Sequence, residues 1–126
     1  MKKNIVFVVD DSPIVLAVAS AGLESAGYEI RTMSNWEEVD QALLSQRPDL
    51  ILMDVNMPDV TGDSVIGFFK ATRGIEDIPI LLYSDLEEEE LAQRSAACAA
   101  DGFVCKAWGM DGLVNTVTLH LQRNSQ

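Results

Sequence analysis

Basic residues are scarce: nine Lys and Arg stand against twenty Asp and Glu, for a net charge of −11. So acidic a surface repels phosphate backbones and anionic lipid, which argues against nucleic-acid or membrane-surface binding. Long apolar runs are missing too. No stretch reaches transmembrane length, and the start, MKKNIVFVVDDS, lacks a signal peptide's apolar segment and cleavage site. A cytoplasmic chain is therefore expected. Cysteine is nearly absent: Cys98 and Cys105 lie in apolar surroundings, with no C-x-x-C pair and no histidine at ligand spacing. That excludes a disulfide framework or a thiolate metal site and leaves two free core thiols. The single histidine, His120, is expected at the surface without chemistry. Repeats and low-complexity linkers are also lacking. With 126 residues and 48% hydrophobic content, the chain suits one domain, residues 1–123, closed by a polar tail, 124–126. Little length remains beyond it, so the chain is expected to be either a stand-alone, single-domain protein, which its Met1 start and short polar tail favour, or a piece of a longer one.

What is present is an alternation of apolar runs and helical stretches. NIVFVV (4–9) is short, β-branched and unbroken, as a parallel strand buried on both faces should be. In DDSP, Ser12 can cap a helix and Pro13 suits its first turn; that helix runs to about Ala26, where Gly27 stops it. YEIRTM (28–33) alternates like a half-exposed strand, and residues 35–45 form an amphipathic helix with Trp36, Val39 and Leu43 inward. DLILM (49–53) is the third strand, 63–73 the third helix and IPILLY (78–83) the fourth strand. LEEEELAQRSAACAA (86–100) is helical, with glutamates at its positive end. GFVC (102–105) is the fifth strand. The last segment, 110–123, is assigned to helix by the βα succession, although Val117, Leu119 and Leu121 also alternate like a strand. Five strands alternating with five helices make an α/β fold, a doubly wound parallel sheet covered on both faces.

Right-handed crossovers send every strand's carboxyl end to the same edge, where such sheets bind their ligands. Strand one ends in Asp10 and Asp11, strand three in Asp54, strand four in Ser84 and strand five in Lys106. Three carboxylates, a hydroxyl and an ammonium thus converge. The carboxylates repel one another, and Lys106 alone does not balance them. A hard divalent cation with oxygen ligands does; Mg²⁺ is the expected ion, with Mn²⁺ as a substitute. With charge balanced, one carboxylate can attack a phosphoryl group. Asp54 stands alone on a central strand and is the expected nucleophile, whereas Asp10 and Asp11 read as a metal grip. Transfer then needs positioning and neutralised equatorial oxygens, for which the metal, Lys106 and Ser84 suffice.

These motifs resemble those of a response-regulator receiver domain (CheY-like) of two-component signalling, over essentially the whole chain. VVDDSP is similar to the acidic pair that opens the family, and MDVNMPDVTG matches its D-x-x-M-P-x-x-x-G phosphoacceptor segment. Ser84 and Lys106 follow Asp54 by thirty and fifty-two residues, as the family's hydroxyl and lysine do. The resemblance implies the flavodoxin-like strand order 2-1-3-4-5. It implies phosphorylation of Asp54 by a sensor histidine kinase or phosphotransfer protein, with Mg²⁺-dependent self-phosphorylation and autodephosphorylation the only chemistry. It implies metal ligation by Asp11, Asp54 and the Asn56 backbone carbonyl, with Asp10 mostly through water. It also implies a switch in which Ser84 moves to the phosphoryl oxygens and Phe103 turns inward behind it. Phe103 has no hydroxyl, so its outward state would rest on packing alone. The face of helix 86–100, strand 102–105 and helix 110–123 is the expected surface for a downstream protein.

Two positions depart from the family pattern. Asp85 follows Ser84 where a small residue is usual, and with Asn56 it is expected to modulate access to the phosphoryl pocket. Ala107 follows Lys106 where proline, often cis, is usual; a trans bond is expected, because cis costs about 2.5–4 kcal/mol without proline. Two other classes compete. A receiver-shaped binding module that never takes phosphate would have lost the acidic pair, the phosphoacceptor or the lysine, and all are intact. A haloacid-dehalogenase-like phosphohydrolase would need an acid two residues past its nucleophile, where Asn56 stands.

Overall fold

The computed structural model describes residues 3–55, 62–98 and 100–124. Its elements alternate: β1 (Ile5–Val9), α1 (Pro13–Ser25), β2 (Glu29–Met33), α2 (Trp36–Ser45), β3 (Leu50–Asp54), α3 (Gly62–Arg73), β4 (Ile80–Ser84), α4 (Glu88–Ala97), β5 (Gly102–Cys105) and, after a 3₁₀ turn over Lys106–Trp108, α5 (Gly109–Asn124). The sheet is parallel, in the order β2-β1-β3-β4-β5. β3 pairs with β1 on one side and β4 on the other, so every residue of LILMD is buried. β2, at an edge, stays mostly exposed and carries polar residues.

Strand alternation divides the core in two. Phe7, Val9, Ile51, Met53, Ile80 and Leu82 face Val39 and Ala42 of α2, Ile66 of α3 and Leu91 of α4. Val6, Val8, Leu50, Leu52, Leu81 and Tyr83 face Ala19 and Leu23 of α1 and Leu113, Val117 and Leu121 of α5. The residues that gave 110–123 a strand-like alternation are thus helical: Val117 and Leu121 are buried, while Leu119 is 48% exposed. Their four-residue spacing is the inward face of a helix.

Local chemistry sets the ends. The Ser12 hydroxyl accepts the Val15 N–H at 3.3 Å with Pro13 at the first helical position, and Gly27 leaves α1 at a φ of 101°. Asn35 Oδ1 accepts the Glu38 N–H at 2.9 Å, while Glu38 reaches back to the Ser34 N–H and hydroxyl, which holds its carboxyl below the usual range. α4 is shorter than the expected 86–100. Ser84 Oγ takes the Leu86 N–H at 3.1 Å, folding residues 84–86 into a turn, and Glu87 and Cys98 are extended. His120 is half-buried, contrary to expectation. Its Nδ1 lies 3.0 Å from the Thr116 carbonyl, its Nε2 lies 3.4 Å from the Asp101 carbonyl, and it fills the space beside Gly102 where a Cβ would stand 2.8 Å from that Nε2.

Candidate functional site

The parallel strands deliver Asp10, Asp54, Ser84 and Lys106 to one edge of the sheet. Asp10 follows the last residue of β1; Asp54 and Ser84 are the last residues of β3 and β4; Lys106 follows β5. Asp10, Asp54 and Ser84 are buried, at 1%, 6% and 1% exposure, so each is held by its strand and its neighbours. Asp11 is exposed. One carboxylate oxygen from each of Asp10, Asp11 and Asp54 lies within 4.8 Å of the other two, a separation that a single ion can bridge.

Lys106 comes from the far side. Its Nζ donates to Asp10 Oδ2 at 3.2 Å and stands 3.9 Å from Asp54 Oδ1. Asp10 Oδ1 is taken by the Ser12 N–H at 3.0 Å, and the Asp10 N–H bonds the Met33 carbonyl. Both Asp10 oxygens therefore already have donors. Of the residues that the sequence placed at the site, Asp10, Asp11, Asp54 and Lys106 do meet, and the donor set suits a hard cation: three carboxylates, with neither thiolate nor imidazole among them.

Ser84 Oγ accepts from the Leu86 N–H, and a hydroxyl so engaged keeps its own proton to donate. Asp85 beside it is exposed, and the Lys106–Ala107 bond is trans as expected, within the 3₁₀ turn. Phe103 is half-buried against the core of the α2–α3–α4 face and makes a tilted contact with Trp108, at 5.7 Å between ring centroids. Asn56, expected both as a carbonyl ligand and as a gate, lies outside the described residues, as does the rest of the segment 56–61.

Two aromatic residues at this edge were not foreseen. Trp108, two residues past Lys106, donates from its indole N–H to Glu88 Oε1 at 3.3 Å and so ties the loop after β5 to the first turn of α4. Tyr83, on β4, lies under the Lys106 ammonium at 5.3 Å from ring centroid to Nζ. Burial pushes the Tyr83 hydroxyl above its ordinary pKa, and the neighbouring ammonium works against that shift. The two-residue alternation that puts Tyr83 and Lys106 on one face of adjacent strands was available in the sequence.

Known proteins share this fold. The chain is 27% identical to the transcriptional regulatory protein KdpE of Mycobacterium tuberculosis, over 97% of its own length and 53% of that protein's. It spans about half the length of the KdpE and PrrA regulators it matches, and 14% of the gliding motility regulatory protein of Myxococcus xanthus. The chemotaxis response regulator CheY4 of Vibrio cholerae superimposes with a TM-score of 0.84 at 28% identity, covering 94% of this chain and 99% of that one. The response regulator TrrA of Thermotoga maritima, solved in complex with Mg²⁺ and beryllium fluoride, superimposes with a TM-score of 0.79 at 30% identity, covering 93% and 98%. A sequence model described as the response regulator receiver domain matches residues 6–118, and the chain belongs to that family.

Proposed function

We propose that Asp54 is the phosphoacceptor of this receiver domain. The observation that carries the reading is the setting of one carboxylate. Asp54 ends the central strand, is 6% exposed, and stands within 4.8 Å of two further carboxylates and 3.9 Å from an ammonium. An Asp54 oxygen attacks the phosphorus of a phosphohistidine in line, the P–N bond breaks, and an acyl phosphate forms as the imidazole leaves. A histidine kinase or phosphotransfer protein supplies the phosphoryl group, and a small donor such as acetyl phosphate can replace it. Apart from this self-phosphorylation and its hydrolytic reversal, the chain acts on no outside substrate.

Asp11 and Asp54 would hold Mg²⁺ directly, and Asp10, whose oxygens already bond Ser12 N–H and Lys106, would hold it through water. When bound, the ion neutralises charge developing on the phosphoryl oxygens. Lys106 is long enough to turn from Asp10 to one such oxygen, and Ser84 donates its free proton to another. Drawing Ser84 forward breaks the turn that Leu86 N–H makes with it and loosens the approach to α4, whose buried residues are Leu91 and Ser95. Phe103 and α4 are then the two-state element, and α4, β5 and α5 are the surface read by a protein partner. Exposed Trp108 and Leu119 give that surface apolar contacts. A net charge of −11 disfavours nucleic acid and anionic lipid as partners of this surface, and no helix among the described residues is long and apolar enough to cross a membrane.

Intact mass after incubation with acetyl phosphate and Mg²⁺ tests this. One added phosphate, absent from Asp54→Asn, is expected. An unmodified wild-type chain, or equal modification of the variant, overturns it.

A further inference from the structure

Lys106 has a long way to reach. The strands run β1-β3-β4-β5, so a side chain rising from the end of β5 crosses β4 before meeting Asp54 on β3 and Asp10 beyond it. Neighbouring strands are about 4.8 Å apart, so the carboxylates lie two and three strand spacings away. Lysine's four-carbon stem is flexible, and holding it extended costs rotamer entropy. Its ion pairs fix only the tip. Something has to support the crossing.

The residue at that crossing is Tyr83. Alternation along β4 turns Leu81 and Tyr83 to the α1–α5 face, and alternation along β5 turns Val104 and then Lys106 the same way. Tyr83 pairs with Val104 in the ladder, so Lys106 is the next residue along on that face. The Lys106 Nζ lies over the Tyr83 ring at 5.3 Å from its centroid, inside the range where the ring quadrupole attracts an ammonium. Tyr83 is 9% exposed and belongs to the buried cluster that also holds Leu81, Val104 and Leu113, so its ring is held by packing.

We propose that Tyr83 is a positioning residue for Lys106: its ring face is the platform that carries the ammonium across β4 to the acidic cluster. This deepens the phosphoacceptor reading and rests on it. The ring does the work and the hydroxyl does not, so phenylalanine should replace it and an aliphatic residue of similar bulk should not.

The test uses the purified chain with Mg²⁺ and acetyl phosphate, following phosphate uptake by intact mass in Tyr83→Phe, Tyr83→Leu, Lys106→Met and the double variant Tyr83→Leu/Lys106→Met. Tyr83→Phe should stay within about twofold of wild type and Tyr83→Leu should fall about fivefold. In the Lys106→Met background the Leu substitution should change nothing further, because the group it positions is gone. A purely structural role predicts the same loss in both backgrounds and overturns the proposal, as do equal rates for Leu and wild type. A second measurement needs neither phosphate nor variant stability. In wild type the Lys106 ε-methylene protons should resonate upfield from ring shielding, and an ordinary lysine shift would refute the platform. Should wild type take no phosphate, the phosphoacceptor reading fails while the proton shift still judges Tyr83.

Discussion

Lys106 Nζ lies 3.2 Å from an oxygen of Asp10, whose side chain is 1% exposed, whereas the Lys106 side chain is 22% exposed. The pair is unequal: the carboxylate is locked in the sheet edge and the ammonium can leave. Before any metal binds, Lys106 is the cation that stands among three clustered carboxylates.

Removing it therefore exposes the repulsion. In metal-free buffer, Lys106→Met should lower stability by about 1–3 kcal/mol, because the buried Asp10 loses its charged partner. Mg²⁺ should raise the melting temperature of both proteins, since only the folded chain gathers the carboxylates. The rise should be larger for the variant, where the ion no longer competes with an ammonium, and smaller for Asp11→Asn. Calorimetry with Mg²⁺ or with chelator reads all three. A smaller Mg²⁺ effect in Lys106→Met would mean that the lysine helps hold the metal rather than standing in for it.

Asp85 follows buried Ser84 directly and is exposed at the rim of the same edge. A carboxylate there repels an incoming phosphate dianion, by an amount that solvent and salt both weaken. Asp85→Ala should take phosphate from acetyl phosphate about two to four times faster at low ionic strength, with the gap narrowing in high salt. Equal rates at low salt would remove Asp85 as a gate.

The sheet and its acidic edge were legible because parallel strands obey a strong rule: buried runs end on one side, and polar residues at four run ends must meet. Asp10, Asp54, Ser84 and Lys106 follow from that rule alone. What escaped depends on the path of side chains rather than on strand order. Alternation puts Tyr83 and Lys106 on one face of adjacent strands, but it does not say that the lysine will lie on the ring. Ser84 folding a turn onto the Leu86 N–H, which delays α4 to Glu88, is likewise a local competition between a hydroxyl and the helix that periodicity does not weigh. His120 was misplaced because the space it occupies is made by the missing side chain of Gly102, eighteen residues away.

Trp108 offers a direct view of the switch. Its ring touches Phe103 on β5 and its indole N–H is held by Glu88 on α4, so it joins the two parts expected to move. Trp36 is the other tryptophan, and Trp36→Phe leaves Trp108 as the sole indole emitter. In that background, beryllium fluoride with Mg²⁺ should change the emission as Phe103 and α4 rearrange, and the change should vanish in Asp54→Asn. Glu88→Ala should shift the resting spectrum by freeing an indole that is already 38% exposed, while Glu88→Gln, which keeps an acceptor oxygen, should leave it nearly unaltered. Emission indifferent to beryllium fluoride, in a chain shown by mass to accept phosphate, would place the moving parts away from Phe103 and α4.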